Sequence, residues 1–162
     1  MIGNPDIKVL IDQAKENLSP DSLCIVLGPT ASGKTSLAVT LAAALNGEII
    51  SADSRQVYRQ MDIGSGKDLN SYGTVPYHLI DIAEPGERYQ VDRFRQDFFA
   101  AYDDIISRGK QPILCGGTGS YIQSILQQSR YAQIPKNAVL QAKLALRSKE
   151  QLIADIQQQG IP

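Results

Sequence analysis

Three short segments of the 162-residue chain carry residue types and spacings suited to chemistry. The first, Gly28-Pro29-Thr30-Ala31-Ser32-Gly33-Lys34-Thr35, satisfies G-x-x-x-x-G-K-[ST] in full. Its glycines let the backbone curl so that successive N–H groups point inward. Those amides, with the positive end of a following helix, favour a bound anion. Lys34 adds a point charge for a terminal phosphate, and the Thr35 hydroxyl can ligate Mg²⁺. The pattern leaves open which phosphate compound binds. The second segment, Ser51-Ala52-Asp53-Ser54-Arg55-Gln56-Val57-Tyr58, sets a carboxylate directly after a strand-like run. Beside a polyphosphate and Mg²⁺, Asp53 can hold the metal, directly or through water, or take a proton from a nucleophile. It can equally be a turn or capping aspartate. The third, Gly116-Gly117-Thr118-Gly119, permits close backbone approach and offers the Thr118 hydroxyl to a substrate, or is a tight strand-to-helix turn.

Other groups carry weaker signals. Asp81 closes the run His78-Leu79-Ile80-Asp81 and could be a metal-side carboxylate, whereas His78, the single histidine, reads as packed or hydrogen-bonded. Gly64-Ser65-Gly66-Lys67 imitates the phosphate loop but has Met61 at the place of its first glycine and no apolar strand before it. It reads as a flexible loop, with Lys67 a marginal phosphate contact.

These segments need elements to hold them. Leu23 to Leu27 is apolar throughout, as suits a parallel strand covered on both faces. A helix rich in Ala and Leu follows from Lys34 to Leu45, closed by Asn46-Gly47. Further strands are expected over 48–52, 78–82 and 112–115, with helices over 92–108, where Gly109 caps, and through Ile122, Ile125 and Leu126. Alternation of this kind predicts a three-layer α/β domain with a mostly parallel sheet. In such a sheet the carboxyl ends of the strands line one crevice, so Asp53 should face the phosphate loop. Ahead of this core, Ile7, Leu10, Ile11, Ala14 and Leu18 recur at helical spacing, with Asn4 as cap, Pro5 in the first turn and Pro20-Asp21 as the stop. After Ser129, helices are expected over 137–147 and 149–159. Ser148 and Gln151 form a capping box, and Gly160 ends the second helix.

Composition narrows the class. With 43% hydrophobic and 20% charged residues the chain is neither disordered nor collagen-like. A balance of 16 Lys+Arg against 17 Asp+Glu argues against a surface built wholly for nucleic acid. Residues 121–162, with five Lys+Arg and two Asp+Glu, are locally basic. No run of 18 apolar residues spans a membrane, and the N-terminus has no signal-peptide pattern. Cys24 and Cys115, both in apolar strands, read as buried thiols of a reduced, cytoplasmic protein and make no zinc site.

Taken together, GPTASGKT at 28–35, SADSRQVYRQMDIGSGK at 51–67, YHLIDI at 77–82 and GGTGSY at 116–121 resemble the tRNA dimethylallyltransferases, also called tRNA isopentenyl transferases, in order and spacing. The wording is closer to this tRNA-modifying branch than to relatives that prenylate free adenine nucleotides. The resemblance implies a P-loop three-layer core and transfer of a dimethylallyl group from dimethylallyl diphosphate to N6 of an adenosine beside the tRNA anticodon. The loop 28–35 would then hold a diphosphate leaving group, with Mg²⁺ as cofactor and Thr35 as its ligand. By the same resemblance Asp53 accepts the N6 proton, Thr118 contacts the adenosine, and Asp53, Ser54, Arg55 and Gln56 line the path of the flipped base. tRNA and dimethylallyl diphosphate are the implied partners of a monomer. Ser120 stands where the family usually has Leu.

The implied organisation is an N-terminal helical extension at 1–21, a catalytic core at 22–130, and at 131–162 the start of an inserted helical domain that grips tRNA. Family members continue beyond that point, through the rest of the insertion and a returning segment with a functional arginine. The chain is therefore expected to be an incomplete form, able to bind a diphosphate with or without completing the reaction. Two other readings stay open. A small-molecule kinase fits the length, but needs an Arg-rich lid that Arg130 and Arg147 do not make. A non-catalytic nucleotide- or RNA-binding remnant is the other.

Overall fold

Four parallel strands carry the architecture of the computed structural model, which describes residues 6–19, 21–127 and 138–158. Along the chain run α1 (Ile7–Asn17), β1 (Cys24–Leu27), α2 (Lys34–Leu45), β2 (Gly47–Ala52), a 3-10 turn over Leu69–Tyr72, β3 (Tyr77–His78), α3 (Val91–Ser107), β4 (Gln111–Gly116) and α4 (Gly119–Leu126). Helices α5 (Ala138–Ala145) and α6 (Lys149–Gln158) follow. The chain divides into two compact units, residues 1–128 and 129–162.

The sheet order is β1-β4-β2-β3, so β4 lies between β1 and β2. Val26 pairs with Cys115, and Ser51 with the same residue from the other side. Because neighbouring strand residues point to opposite faces, adjacent apolar residues enter different cores. Ile49 and Ile113 join Val26, Ala38, Leu41 and Tyr72 beneath α2. Ile50 and Leu114 join Phe94, Phe98, Ile105 and Tyr121 beneath α3 and α4. The second core is largely aromatic: Phe94 stacks on Tyr121 with ring centroids 4.1 Å apart and planes within 9°. Full burial of each such side chain contributes about 1.5–3 kcal/mol. Three layers result, as the alternation of elements predicts.

The helix ends follow local chemistry. The Lys8 N–H donates to the Asp6 carboxylate at 3.1 Å and starts α1; the expected Asn4, Pro5 and Pro20 signals lie outside the described residues. Leu10, Ile11 and Ala14 half-bury that helix's inner face. Asn46 alone takes the left-handed turn after α2, at φ 53°, because Gly47 already belongs to β2. In the second unit the Ser148–Gln151 capping box forms, with Ser148 N donating to Gln151 Oε1 at 3.0 Å and Gln151 N to Ser148 Oγ at 3.3 Å. Asn137, Gln159 and Gly160 lie outside the described residues.

The third strand departs from expectation. It covers two residues, not 78–82. His78 pairs with Ile50, and β2 continues to Ala52. Leu79 and Asp81 take left-handed conformations at φ 62° and 56°, so the chain leaves the sheet after His78 although β2 still runs on beside it. Ile82 N and Ala83 N then both donate to Val57 O at 2.9 Å. Asp81 consequently does not end a strand.

At the opposite end of β2 from Asp53 sits a buried charge. The Glu48 side chain is 4% exposed and receives Arg108 through both guanidinium terminal nitrogens, while His78 Nε2 lies 2.7 Å from Glu48 Oε2. Arg108 also donates to Asp104 at 2.7 Å. The Arg108 hydrogen bond, opposed by burial and aided by His78, holds the Glu48 carboxyl at about 2 against an ordinary 4.5. A carboxyl lowered on folding adds stability that is complete above its unfolded value and disappears as pH falls through its folded one. The urea midpoint should therefore decline as pH drops from 4.5 toward 2, and Glu48→Gln should flatten that decline as well as lowering the midpoint near neutrality.

Candidate functional site

The carboxyl ends of β1, β4 and β2 lie side by side, and a loop leaves each of them there. From β1 the loop 28–35 curls into α2. Ala31 and Gly33 both take left-handed φ, at 61° and 84°, which suits alternation of N–H directions around a concave anion seat. The first amides of α2 have no intrahelical partner and add the helix's positive end. Lys34 Nζ donates to Pro29 O at 2.6 Å, so the ammonium is folded back across the loop.

From β2 emerges Asp53, whose Oδ1 accepts the Arg55 N–H at 2.9 Å while Arg55 Nε stands 3.9 Å away. The carboxylate is thus a turn-former and still 23% exposed at the cleft. From β4 emerges Gly116. A Cβ there would stand 2.4 Å from Ala52 O, so only glycine lets the two strand ends close up. That closure lets Thr118 N donate to Ala52 O at 3.1 Å and Ser54 N donate to Thr118 Oγ1 at 3.0 Å. The Thr118 hydroxyl accepts this bond and keeps its own hydrogen to donate.

Two cavities open over these ends. One, of about 330 Å³, has Thr30–Thr35 on one side and Gln56, Gly66, Tyr72 and Cys115 on the other. The second, of about 360 Å³, is bounded by Gly28, Pro29, Ser54, Gly117 and Thr118. Thr30, Lys34, Asp53 and Arg55 line both. The loop 28–35, the strip Asp53–Gln56 and Thr118 therefore each line one cavity or the other.

Lys67 and Asp81 do not. They line a third cavity, of about 450 Å³, with Arg59 and Asn70. The Lys67 side chain is 1% exposed, and its Nζ donates to Asp81 Oδ1 at 2.5 Å, Tyr58 O at 2.8 Å and Asp62 Oδ1 at 3.0 Å. All three ammonium hydrogens are used, and both residues line a different cavity from the loop 28–35, which corrects the expectations of a phosphate contact at Lys67 and a metal-side carboxylate at Asp81. Burial opposes the Lys67 charge, but the Asp81 and Asp62 carboxylates outweigh it and raise the ammonium's pKa. His78 belongs to the Glu48 network, as a hydrogen-bonded histidine.

Tyr72 and Cys115 are cleft residues that sequence reasoning did not nominate. Tyr72 sits in the turn ahead of Gly73 and packs beneath α2, and nothing in its local sequence signals that. Burial pushes the Cys115 thiol up to about 11 despite the nearby Lys34 charge, so it stays protonated and inert. Among the described residues no three His, Cys, Asp or Glu side chains cluster as a metal cage. A hydroxyl at Thr35 with a carboxylate across the same cavity instead suits Mg²⁺, which leans on substrate phosphates and keeps its waters.

Residues 56–160 match the IPP transferase family. The chain belongs to the IPP transferase family. It is 55% identical over 140 residues to tRNA dimethylallyltransferase 2 of Trichlorobacter lovleyi, covering 85% of this chain and 46% of that protein. It is 54% identical over 140 residues to tRNA dimethylallyltransferase 2 of Bacteroides fragilis, covering 83% and 46%. Among solved structures, the tRNA isopentenylpyrophosphate transferase of Bacillus halodurans superposes with a TM-score of 0.67 at 41% identity, over 77% of this chain and 42% of that one. A eukaryotic dimethylallyltransferase acting on tRNA superposes at 0.63 and 31% identity, over 73% and 31%. This IPP transferase chain thus spans less than half the length of the relatives it matches. Among its described residues no helix is long and apolar enough to cross a membrane.

The closed strand ends can be tested. Gly116→Ala should cost about 1–3 kcal/mol in urea unfolding, as overpacking does. Gly119→Ala, three residues on at the first turn of α4 with open space around it, should be neutral or slightly stabilising.

Proposed function

We propose that this chain forms the donor- and acceptor-holding core of a dimethylallyl transfer to tRNA. The observation that carries this reading is the shared wall: Lys34, Asp53, Thr30 and Arg55 border both cavities, so a diphosphate on one side and a nucleophile on the other meet at the same residues. The donor's diphosphate seats on the amides of 28–35, with Lys34 leaving Pro29 O to meet it. Thr35 would hold a Mg²⁺ ion, which when bound would supply charge neutralisation for the leaving group.

The acceptor is N6 of an adenosine turned out of the anticodon loop, at a cost of a few kcal/mol that contacts to the base must offset. Ser54, Arg55 and Gln56 line its path, and the Thr118 hydroxyl, held by Ser54 N, contacts the adenosine. N6 attacks C1 of dimethylallyl diphosphate; the N6–C1 bond forms, the C1–O bond breaks, and diphosphate leaves with the bonding pair. An aromatic amine is a weak nucleophile, and positive charge grows on its nitrogen. Asp53 takes that proton at Oδ2, because Oδ1 is committed to Arg55 N. The amides and Lys34 stabilise charge on the departing oxygens. The names of the relatives support this reading over phosphoryl transfer. The second unit, in this reading, begins the part that grips RNA.

Lys34→Ala should weaken inorganic pyrophosphate binding roughly 10- to 100-fold by calorimetry, the range for losing one charged hydrogen bond. Unchanged affinity would sink the loop assignment. Asp53→Asn should retain pyrophosphate affinity within about twofold while slowing single-turnover transfer of labelled dimethylallyl groups to unmodified tRNA by about 10²- to 10⁴-fold.

A further inference from the structure

Three contacts close a ring behind the strip Asp53–Gln56, and a fourth braces it. Gln56 O accepts the Asp81 N–H at 3.1 Å. The Asp81 carboxylate receives Lys67 Nζ at 2.5 Å. Lys67 follows Gly66, whose carbonyl accepts Gln56 Nε2 at 3.1 Å. Ser51 Oγ then donates to Gln56 Oε1 at 3.1 Å, so both ends of the Gln56 amide are held. Outside the ring, Lys67 also ties Tyr58 O and Asp62, and Arg59 Nε donates to Asp81 O at 2.8 Å. The left-handed Asp81, at φ 56°, is a conformation an aspartate keeps only where its surroundings over-determine it.

From this ring we infer that Lys67 is a positioning residue, which fixes the Gln56 amide in the cleft wall and pre-shapes the strip Asp53–Gln56 for the acceptor base. The buried ammonium never touches the base. Its three hydrogens fasten the loop 62–67 to the turn at Asp81, and that fastening aims the Gly66 carbonyl at Gln56. Without it the Gln56 amide is free to rotate, and the acceptor must order the strip on binding, which weakens binding. Gln56 and Gly66 border the same cavity as Thr30–Thr35, but no residue of the loop 28–35 bonds within the ring, so the diphosphate seat keeps its affinity. A role in stability alone would lower both affinities together.

The inference rests on the acceptor reading above for what the strip receives, while the ring itself can be probed without any RNA. In nitrogen-15 NMR spectra of the chain, Lys67→Met should shift the Gln56 side-chain amide pair and speed its exchange with water. Lys67→Arg keeps the charge but not the three-way geometry, and should shift the pair less. An unmoved Gln56 pair in Lys67→Met overturns the inference whatever the chain does with RNA. With an unmodified anticodon stem-loop RNA, Lys67→Met should weaken binding about tenfold, with Lys67→Arg between it and the parent, while inorganic pyrophosphate binding stays within about twofold in both. Equal loss of both affinities, with collapse of the near-ultraviolet circular dichroism in both variants, assigns Lys67 to stability and also overturns it. A parent chain that binds pyrophosphate but not the RNA would count against the acceptor reading, and the Gln56 resonances would still decide the ring.

Discussion

The backbone of Gly116 lies against that of Ala52, and the functional groups above the sheet take their positions from that closeness. With a side chain at 116 the ends of β4 and β2 would stand apart. Thr118 N could not then reach Ala52 O, nor Thr118 Oγ1 the amide of Ser54. The phosphate loop leaves β1, the next strand over, so the same closeness sets how far Asp53 stands from the anion seat. A site made from three loops is thereby held by strand ends rather than by the loops' own stiffness. Rigid elements of this kind keep reacting groups within the small tolerances that catalysis requires.

Charges in this molecule are used in two ways. Glu48 and Lys67, at 4% and 1% side-chain exposure, are each bonded to several partners. A buried charge in such company fixes geometry, and removing one partner leaves the other stranded at large cost. Lys34 and Asp53 differ. Each leans on a single backbone group nearby, Pro29 O or Arg55 N, and each borders both cavities. Such light tethering keeps a charge oriented while leaving it free to exchange its local bond for a ligand.

The phosphate loop, Asp53, Thr118 and the parallel sheet were legible in the sequence because each depends on local signals: apolar runs of strand length, glycines at turns, a lysine at fixed spacing. The length of β3 was not. The run His78 to Ile82 reads as one strand, but Leu79 turns left-handed and Ile82 and Ala83 bond to Val57 O instead, partners that only the folded chain brings together. Lys67 was misjudged for a related reason. Its loop imitates a phosphate cradle, whereas its true partners, Asp81 and Tyr58 O, are 14 and 9 residues away and meet it only after folding. Tyr72 carried no signal, since its place in the cleft follows from packing beneath α2. The groups that border the cleft were visible, and the groups that hold them still were not.

The order β1-β4-β2-β3 also governs the sequence of events by which the site can come into being. β1 and β2 are consecutive along the chain yet never touch as strands; β4, translated long after both, is the wedge that joins them. Until it arrives, the phosphate loop is attached to a strand with no ladder at all, and β2 has only two-residue β3 beside it. Closing so long a chain segment is slow and is rewarded late. A ribosome-bound intermediate lacking β4 would therefore carry the complete motif Gly28–Thr35 in its sequence and have no formed pocket to show for it.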